Sequence, residues 1–123
     1  MKMSESRENY LEAIYLLARQ RGVVRSIDVA DFFGFSRPSV SNAVSLLKQS
    51  GLVTMGKDGS LSLTEAGKEI AERTYERHRL LTQYFMALGV SEKTAQEDAC
   101  RIEHVISQES FQKLKEHVEQ AKK

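Results

Sequence analysis

The spacing of apolar residues changes at Gly51, and this change constrains the fold more than any other feature. Before Gly51 the apolar residues recur at i, i+3, i+4 and i+7, which is typical of amphipathic helices. After it, two short apolar runs at 52–55 and 61–63 flank the pair Asp58-Gly59, a strong hairpin signal. Three helices followed by a hairpin predict a winged helix-turn-helix.

Three helices are predicted before the hairpin. The first spans 6–21 and ends at Gly22. Ser26 is the predicted N-cap of the second, and Ser36 that of the third, with Pro38 in its first turn. The predicted inward faces are Leu11, Ile14, Tyr15 and Ala18 on the first helix, Ile27, Ala30 and Phe33 on the second, and Val40, Ala43, Val44 and Leu47 on the third.

Three further helices are predicted after the hairpin. Thr64 is the expected N-cap of a long fourth helix that ends near Leu88, before Gly89. A fifth helix is predicted from Ser91 to about Ile106, and a sixth begins near Gln108. The chain is therefore predicted to be mainly α.

The fourth helix is longer than a winged domain needs, so the domain boundary is predicted inside it. This gives a winged helix-turn-helix domain at 1–74 and a helical domain at 75–123. The second domain has more apolar side chains than three helices can bury alone: Phe85, Leu88, Ile102, Ile106, Phe111 and Leu114. An isologous interface would cover them, which predicts a homodimer.

The composition limits the class of protein. The chain has 123 residues, of which 41% are hydrophobic and 28% charged, as in soluble globular domains. It has no apolar run long enough to span a membrane and no secretory signal. A single cysteine fits a reducing compartment. A cytoplasmic protein with no membrane partner is expected.

The charge pattern predicts a local DNA-binding surface. The net charge is only +1, but the segment 14–57 has six basic residues against two acidic ones. The second helix of a helix-turn-helix enters the major groove, where Arg37 suits guanine and Asn42 suits adenine. The residues predicted to contact DNA are Arg25, Ser36, Arg37, Pro38, Ser39, Ser41, Asn42, Lys48 and Lys57.

A metal site is suggested by Cys100, Glu103 and His104. At i, i+3 and i+4 of a helix, a thiolate, a carboxylate and an imidazole point to one place, and all three are transition-metal ligands. By itself this triplet is a weak signal. An alternative is that Cys100 is a small buried apolar residue.

Two other helices offer metal ligands as well. Asn9 and Glu12 form an i, i+3 pair of oxygen donors on the first helix. His78 interrupts the apolar side of the fourth helix, where a histidine is more often a hydrogen-bonded core residue than a ligand.

Four segments together resemble the diphtheria toxin repressor family of metal-dependent transcriptional regulators, including its manganese-transport branch. They are ENYLEAIYLL, SRPSVSNAVSLLKQSGLV, LSLTEAGKEIAERTYERHRLL and DACRIEHVIS. The resemblance implies a homodimeric repressor of metal-uptake genes that binds double-stranded operator DNA when Fe²⁺ or Mn²⁺ is bound. Because a thiolate favours softer ions and affinity rises along the Mn–Fe–Co–Ni series, Co²⁺ or Zn²⁺ is also expected to bind in vitro. With 123 residues the chain is expected to be a short form without the C-terminal SH3-like domain that some members carry.

The ligand positions implied by the resemblance are Asn9, Glu12, His78, Cys100, Glu103 and His104. Asn9 departs from both the methionine and the aspartate of the family branches. An ancillary site of the iron branch is in doubt, because Thr82 and Gln96 stand where a glutamate and a histidine are expected.

Two alternative functions stay open at this point. One is a winged-helix regulator that senses a small organic ligand or oxidation at Cys100. The other is a protein-interaction module that does not bind DNA, in which the serines are only helix caps. An enzyme is not expected, because the sequence has no nucleophile–base pair and no phosphate-binding glycine loop.

Overall fold

The computed structural model describes residues 3–121, and side chains from residue 6 onward. Its elements in chain order are α1 (Met3–Arg21), α2 (Ser26–Phe33), α3 (Arg37–Gln49), β1 (Val53–Met55), β2 (Leu61–Leu63), α4 (Glu65–Ala87), α5 (Glu92–Ile102) and α6 (Gln108–Ala121). The predicted mainly α class, with a winged helix-turn-helix followed by helices, is confirmed. In the part of the chain that is described, no helix is long and apolar enough to cross a membrane.

The chain divides into two compact units, Met1–Arg73 and Thr74–Lys123. The N-terminal unit has its core among α1, α2, α3 and the hairpin, where Leu11, Val29 and Val40 are fully buried. In the C-terminal unit Leu81, Ala95, Ala99 and Phe111 are buried.

The inward face of α2 differs from the prediction. Ile27 is 42% exposed, and Val29 is fully buried instead. At 3.6 residues per turn, two positions differ by about 200°, so Ile27 and Val29 lie on opposite sides of the helix. The predicted N-cap is also one residue off. Arg25 occupies that position, and its backbone N–H donates to Asp28 Oδ2 over 2.8 Å.

The predicted hairpin is present, with a five-residue loop between its strands. β1 and β2 are antiparallel and pair Val53 with Leu63 and Met55 with Leu61. The Gly56 N–H donates to Ser60 O over 2.8 Å and closes the loop. The Leu61 N–H donates to Val24 O over 2.7 Å, which joins the hairpin to the segment before α2.

The start of α4 is fixed by the hydroxyl of Thr64. It accepts the Gly67 N–H at 3.2 Å and donates to Gly51 O at 2.8 Å. The backbone of Leu52 passes so close that a Cβ at Gly67 would collide with its carbonyl oxygen. Thr64 and Gly67 therefore join α4 to the chain that enters the hairpin.

The helix α5 ends at Ile102, four residues before the predicted end at Ile106. The chain turns at 103–107 and then begins α6. A guanidinium from α4, that of Arg77, binds the carbonyls of Glu103 and Ile106. A continuing helix would use these carbonyls for its own backbone bonds, so Arg77 favours the turn.

The apolar residues predicted to form a dimer interface are not equally available. Phe111 is only 2% exposed, so the protomer itself already covers it. Leu88 is 65% exposed and Val105 is equally exposed. Phe111 is therefore a core residue of the C-terminal unit.

Candidate metal centre and DNA-binding surface

Three of the predicted metal ligands meet at the carboxyl end of α5. One ligand atom each from Cys100, Glu103 and His104 lies within 4.8 Å of the others. Ser91 caps the start of the helix, and Ala95 and Ala99 face the core. Glu103 follows Ala99 by four residues and keeps helical dihedrals, so its carboxylate also points inward.

The imidazole of His78, on α4, joins these residues. Its Nδ1 lies 2.9 Å from Glu103 Oε2, and the tautomer decides which atom donates. On the other carboxylate oxygen, Oε1, His104 Nε2 lies 3.3 Å away. The side chain of Glu103 is completely buried and that of His104 is 3% exposed.

The second carboxylate oxygen of Glu103, Oε1, is an acceptor whose capacity is not used in the described part of the chain. Within the described residues Oε1 accepts no hydrogen bond, since the contact with His104 is close but poorly aligned. A buried carboxylate oxygen without a partner is costly unless it binds a cation or a proton.

The donor set fits a transition-metal ion. Ligand atoms bonded at about 2.0–2.3 Å to one ion lie at most about 4.6 Å apart. The spread of 4.8 Å among the three donors therefore needs only small side-chain adjustments. Imidazoles suit iron, cobalt and zinc, a carboxylate suits manganese, and a thiolate favours softer ions.

Cys100 is exposed, so the alternative that it is a small buried apolar residue is wrong. Its thiol lies within 4.8 Å of a ligand atom of Glu103 and of one of His104.

Asn9 and Glu12 lie on α1 of the N-terminal unit, on one face and both half-buried. Their predicted role as ligands stays a prediction. The structure thus brings together four of the six predicted ligand residues, all of them in the C-terminal unit. Of the two residues that depart from the iron-branch ancillary site, Gln96 is exposed and donates to Glu92 over 3.3 Å.

All nine residues predicted to contact DNA are exposed. Arg37, Pro38, Ser41 and Asn42 lie in the first two turns of α3, away from the buried Val40 and Val44. The hydroxyl of Ser36 is partly engaged at the helix start. It accepts the Ser39 N–H at 3.3 Å and donates to Ser39 Oγ at 2.9 Å.

Arg25 already has an acidic partner at the hairpin loop. Its Nε donates to Asp58 O over 3.3 Å, and its Nη2 lies 3.6 Å from Asp58 Oδ2. Hydrogen bonds from the Ser60 hydroxyl and N–H, helped by Arg25, hold the pKa of Asp58 below its usual value. Lys57, at the tip, is the neighbour of this acidic group.

Sequence reasoning missed both Asp58 and Arg77 as residues that organise these sites. Asp58 was recognised only as a turn former. Arg77 stands immediately before His78, and this adjacency was the available signal, but the sequence does not show which carbonyls its guanidinium reaches.

Known proteins resemble the chain over nearly its whole length. Residues 2–61 match the family model of the iron-dependent repressor N-terminal DNA-binding domain. Residues 64–123 match that of the iron-dependent repressor metal-binding and dimerisation domain.

Two curated relatives are also similar. An uncharacterized HTH-type transcriptional regulator of Methanocaldococcus jannaschii is 33% identical over 98% of this chain and 98% of its own length. The transcriptional regulator MntR of Escherichia coli O157:H7 is 34% identical over 85% of this chain and 67% of its own.

Among solved structures, the manganese regulator SloR superposes with a TM-score of 0.82, at 28% identity over 92% of this chain and 53% of that one. A manganese-dependent transcriptional repressor in complex with manganese gives a TM-score of 0.76, at 26% identity over 88% of this chain and 50% of that one. The chain thus spans about half the length of these two solved regulators.

Proposed function

The chain belongs to the iron-dependent repressor family of metal-dependent transcriptional regulators, and we propose that its homodimer binds operator DNA when its metal site is loaded with Fe²⁺ or Mn²⁺. It acts in the cytoplasm as a repressor of metal-uptake genes and has no catalytic activity. Co²⁺ and Zn²⁺ bind the same site in vitro, because the affinity of nitrogen, oxygen and sulfur donors for divalent first-row metals rises from Mn²⁺ and Fe²⁺ towards the later ions.

One observation carries this proposal, namely the buried carboxylate of Glu103 between the imidazoles of His78 and His104. The arrangement has a hydrogen bond on one oxygen and an open acceptor on the other. A cation bound at the open oxygen would offset the free-energy cost of burying this carboxylate. A bound divalent ion would supply positive charge and fixed bond directions to these donors.

The proposed ligand set is His78, Cys100, Glu103 and His104 in the C-terminal unit, together with Asn9 and Glu12 on α1. The first four are supported by their mutual distances, and the other two by the family resemblance. Metal binding and DNA binding are then coupled, and such couplings are typically about 1–3 kcal/mol, or roughly 5- to 150-fold in affinity.

DNA binding is proposed to use α3 as the reading helix and the hairpin as the wing. Arg37 and Asn42 read base edges, and Pro38 contacts thymine methyl groups. Phosphates are contacted by Lys48, Lys57 and Arg25. The position of α3 against the DNA backbone is fixed by the serines Ser36, Ser39 and Ser41.

The decisive experiment is a titration of chelator-treated protein with Mn²⁺, anaerobic Fe²⁺, Co²⁺ and Zn²⁺. Fluorescence anisotropy of a labelled duplex from the gene's own promoter region follows DNA binding. An increase in DNA affinity that depends on one or two of these ions is the expected result. Tight binding that ignores both ions and chelator would leave a winged-helix DNA-binding protein without metal control, and no DNA binding under any condition would favour an interaction module.

Glu12→Gln tests the contribution of α1 in the same assay. If Glu12 is a ligand, this variant needs a higher concentration of metal to reach the same DNA affinity. Glu72→Gln, an exposed carboxylate of the same unit, is the matched control and should behave like the unmodified protein. Equal metal requirements in both variants would remove Glu12 from the ligand set.

A further inference from the structure

The guanidinium of Arg77 is bound to the turn that carries two of the proposed metal ligands. Nη1 donates to the carbonyl of Glu103 over 3.2 Å and to that of Ile106 over 3.0 Å. Nη2 donates to the side-chain carbonyl of Gln108 over 2.9 Å. One side chain of α4 therefore fixes both ends of the segment 103–107.

These contacts suit the chemistry of a helix end. The carbonyls of Glu103 and Ile106 follow the end of α5, where no further helical turn supplies N–H donors and where the negative end of the helix dipole lies. A planar guanidinium presents several N–H donors in a fixed geometry, so it can bind two carbonyls and an amide together. The ring of Phe111, at 5.4 Å from Cζ of Arg77, covers one face of the guanidinium.

The next residue of α4, His78, contacts the same turn at a side chain and not at the backbone. His78 contacts the Glu103 carboxylate, while Arg77 contacts the Glu103 backbone. Successive residues of a helix point about 100° apart, so one turn of α4 can hold both the backbone and the side chain of Glu103. The position of this carboxylate is thus set from two directions.

We infer that Arg77 is a positioning residue of the metal centre, which holds the 103–107 turn so that Glu103 and His104 point at the ion before it arrives. The inference rests on the proposed metal-binding function. The same guanidinium also contacts Gln108 and Phe111 and thereby holds the start of α6. The conformations of the 103–107 turn and of the start of α6 therefore depend on one side chain.

The expected effect is on metal affinity and on the geometry of the site. Outer-shell partners that orient ligands typically change metal affinity about 10- to 100-fold when they are removed. Arg77→Gln should weaken Co²⁺ binding by about this factor and alter the ligand-field absorbance of bound Co²⁺. Arg77→Lys keeps the charge but has one ammonium in place of the fork, so it should give an intermediate affinity.

The experiment is an anaerobic Co²⁺ titration of the full chain, followed by absorbance, for the unmodified protein and these two variants. Arg79→Gln is the matched control, because Arg79 is an exposed arginine of the same helix that stacks on Tyr75. Its affinity and spectrum should not change. Circular dichroism and urea unfolding establish that the compared variants are equally folded.

Gln108→Ala provides a milder second variant in case Arg77→Gln does not fold. It removes a single contact of the guanidinium and should lower Co²⁺ affinity by a smaller factor. In the metal-free protein, faster amide hydrogen exchange at 104–108 in both variants, and not in Arg79→Gln, is the expected sign of a released turn.

The outcomes separate this inference from the function on which it rests. If the unmodified protein binds no Co²⁺, the proposed metal function fails and the inference fails with it. If the unmodified protein binds Co²⁺ and the folded Arg77 and Gln108 variants bind it with the same affinity and spectrum, only the role of Arg77 is overturned.

Discussion

His78 Nδ1 lies 2.9 Å from Glu103 Oε2, although 25 residues separate the two in sequence. The contact links the middle of α4 to the end of α5 through a carboxylate with no exposed surface. Burial of a carboxylate is tolerated only with a partner of opposite charge or with several hydrogen bonds. One hydrogen bond with His78 and a longer contact with His104 are a modest compensation, which is why this carboxylate is the most informative position to change.

Glu103→Gln should abolish stabilisation by metal while it leaves the metal-free fold intact. Glutamine keeps the shape and one acceptor for His78, so the free energy of unfolding without metal should change by only about 1 kcal/mol. In the unmodified protein, an ion at 100 times its dissociation constant adds about 2.7 kcal/mol. Urea unfolding with and without Mn²⁺ or Co²⁺ measures both quantities. Glu97→Gln, which changes an exposed carboxylate of α5, is the control. Equal stabilisation of Glu103→Gln and Glu97→Gln by metal would show that the site lies elsewhere.

Arg37→Ala should weaken binding to the specific operator by about 1–3 kcal/mol, because a bidentate contact to guanine is lost. Binding to random duplex should fall much less. The metal affinity of the DNA-free protein should not change, since Arg37 is an exposed residue of α3, a helix that carries none of the proposed metal ligands. Competition anisotropy at fixed salt concentration measures the ratio of the affinities for the operator duplex and the random duplex. A parallel loss on both duplexes would make Arg37 a phosphate contact and leave base reading to other residues.

Lys57→Ala should lower DNA affinity on all sequences alike. Each phosphate contact contributes about 0.9 to the slope of log affinity against log salt concentration, so the slope should fall by about that amount. Lys93→Ala removes an equally exposed lysine from α5 and should leave the slope unchanged. A salt titration of both variants against the same duplex makes the comparison, and an unchanged slope in Lys57→Ala would show that the hairpin tip does not touch DNA.

Much of the fold could be predicted because local patterns decide it. The Ser36 cap and the buried stripe of Val40, Val44 and Leu47 define α3 almost to the residue. The Asp58-Gly59 pair defines the hairpin, because Asp58 accepts the Ser60 N–H and Gly59 has φ of 83°. These features depend on residues a few positions apart, which a sequence displays directly.

The features that were missed depend on contacts between distant segments. Arg77 reaches Glu103 and Ile106, 26 and 29 residues away, and these bonds coincide with the early end of α5. Arg25 meets Asp58 across 33 residues. A periodic pattern says which face of a helix is apolar, but not which distant carbonyl a long polar side chain will reach. The prediction that Ile27 faces inward was wrong for a related reason. The helix α2 has apolar residues on both faces, and only packing decides which face is buried.

Asp58→Asn should increase DNA affinity, because it removes a negative charge beside Lys57 and the carboxylate that pairs with Nη2 of Arg25. Asparagine retains an acceptor for the Ser60 N–H, so the loop should keep its shape. The pKa of Asp58 is lowered in the folded protein, so its contribution to loop stability is present at neutral pH and is lost as pH falls through that lowered pKa. Asp58→Asn should remove this acid dependence. Anisotropy at low salt and amide exchange of Ser60 against pH measure the two effects, and a fall in DNA affinity would show that the Arg25–Asp58 contact positions the wing.

Cys100→Ser tests whether the exposed thiol is a ligand. If it is, the variant should lose the thiolate-to-Co²⁺ charge-transfer absorbance, and its affinity for Zn²⁺ and Co²⁺ should fall more than that for Mn²⁺, because a hydroxyl is a harder and weaker donor. In the unmodified protein, a bound ion should also slow alkylation of the thiol of this exposed residue. Glu97→Gln, a change of an exposed side chain of α5, is the control for unspecific effects. A thiol that reacts at the same rate with and without saturating metal, together with an unchanged Co²⁺ spectrum in Cys100→Ser, would leave Glu103, His104 and His78 as the donors of the C-terminal unit and would shift the expected ion toward Mn²⁺.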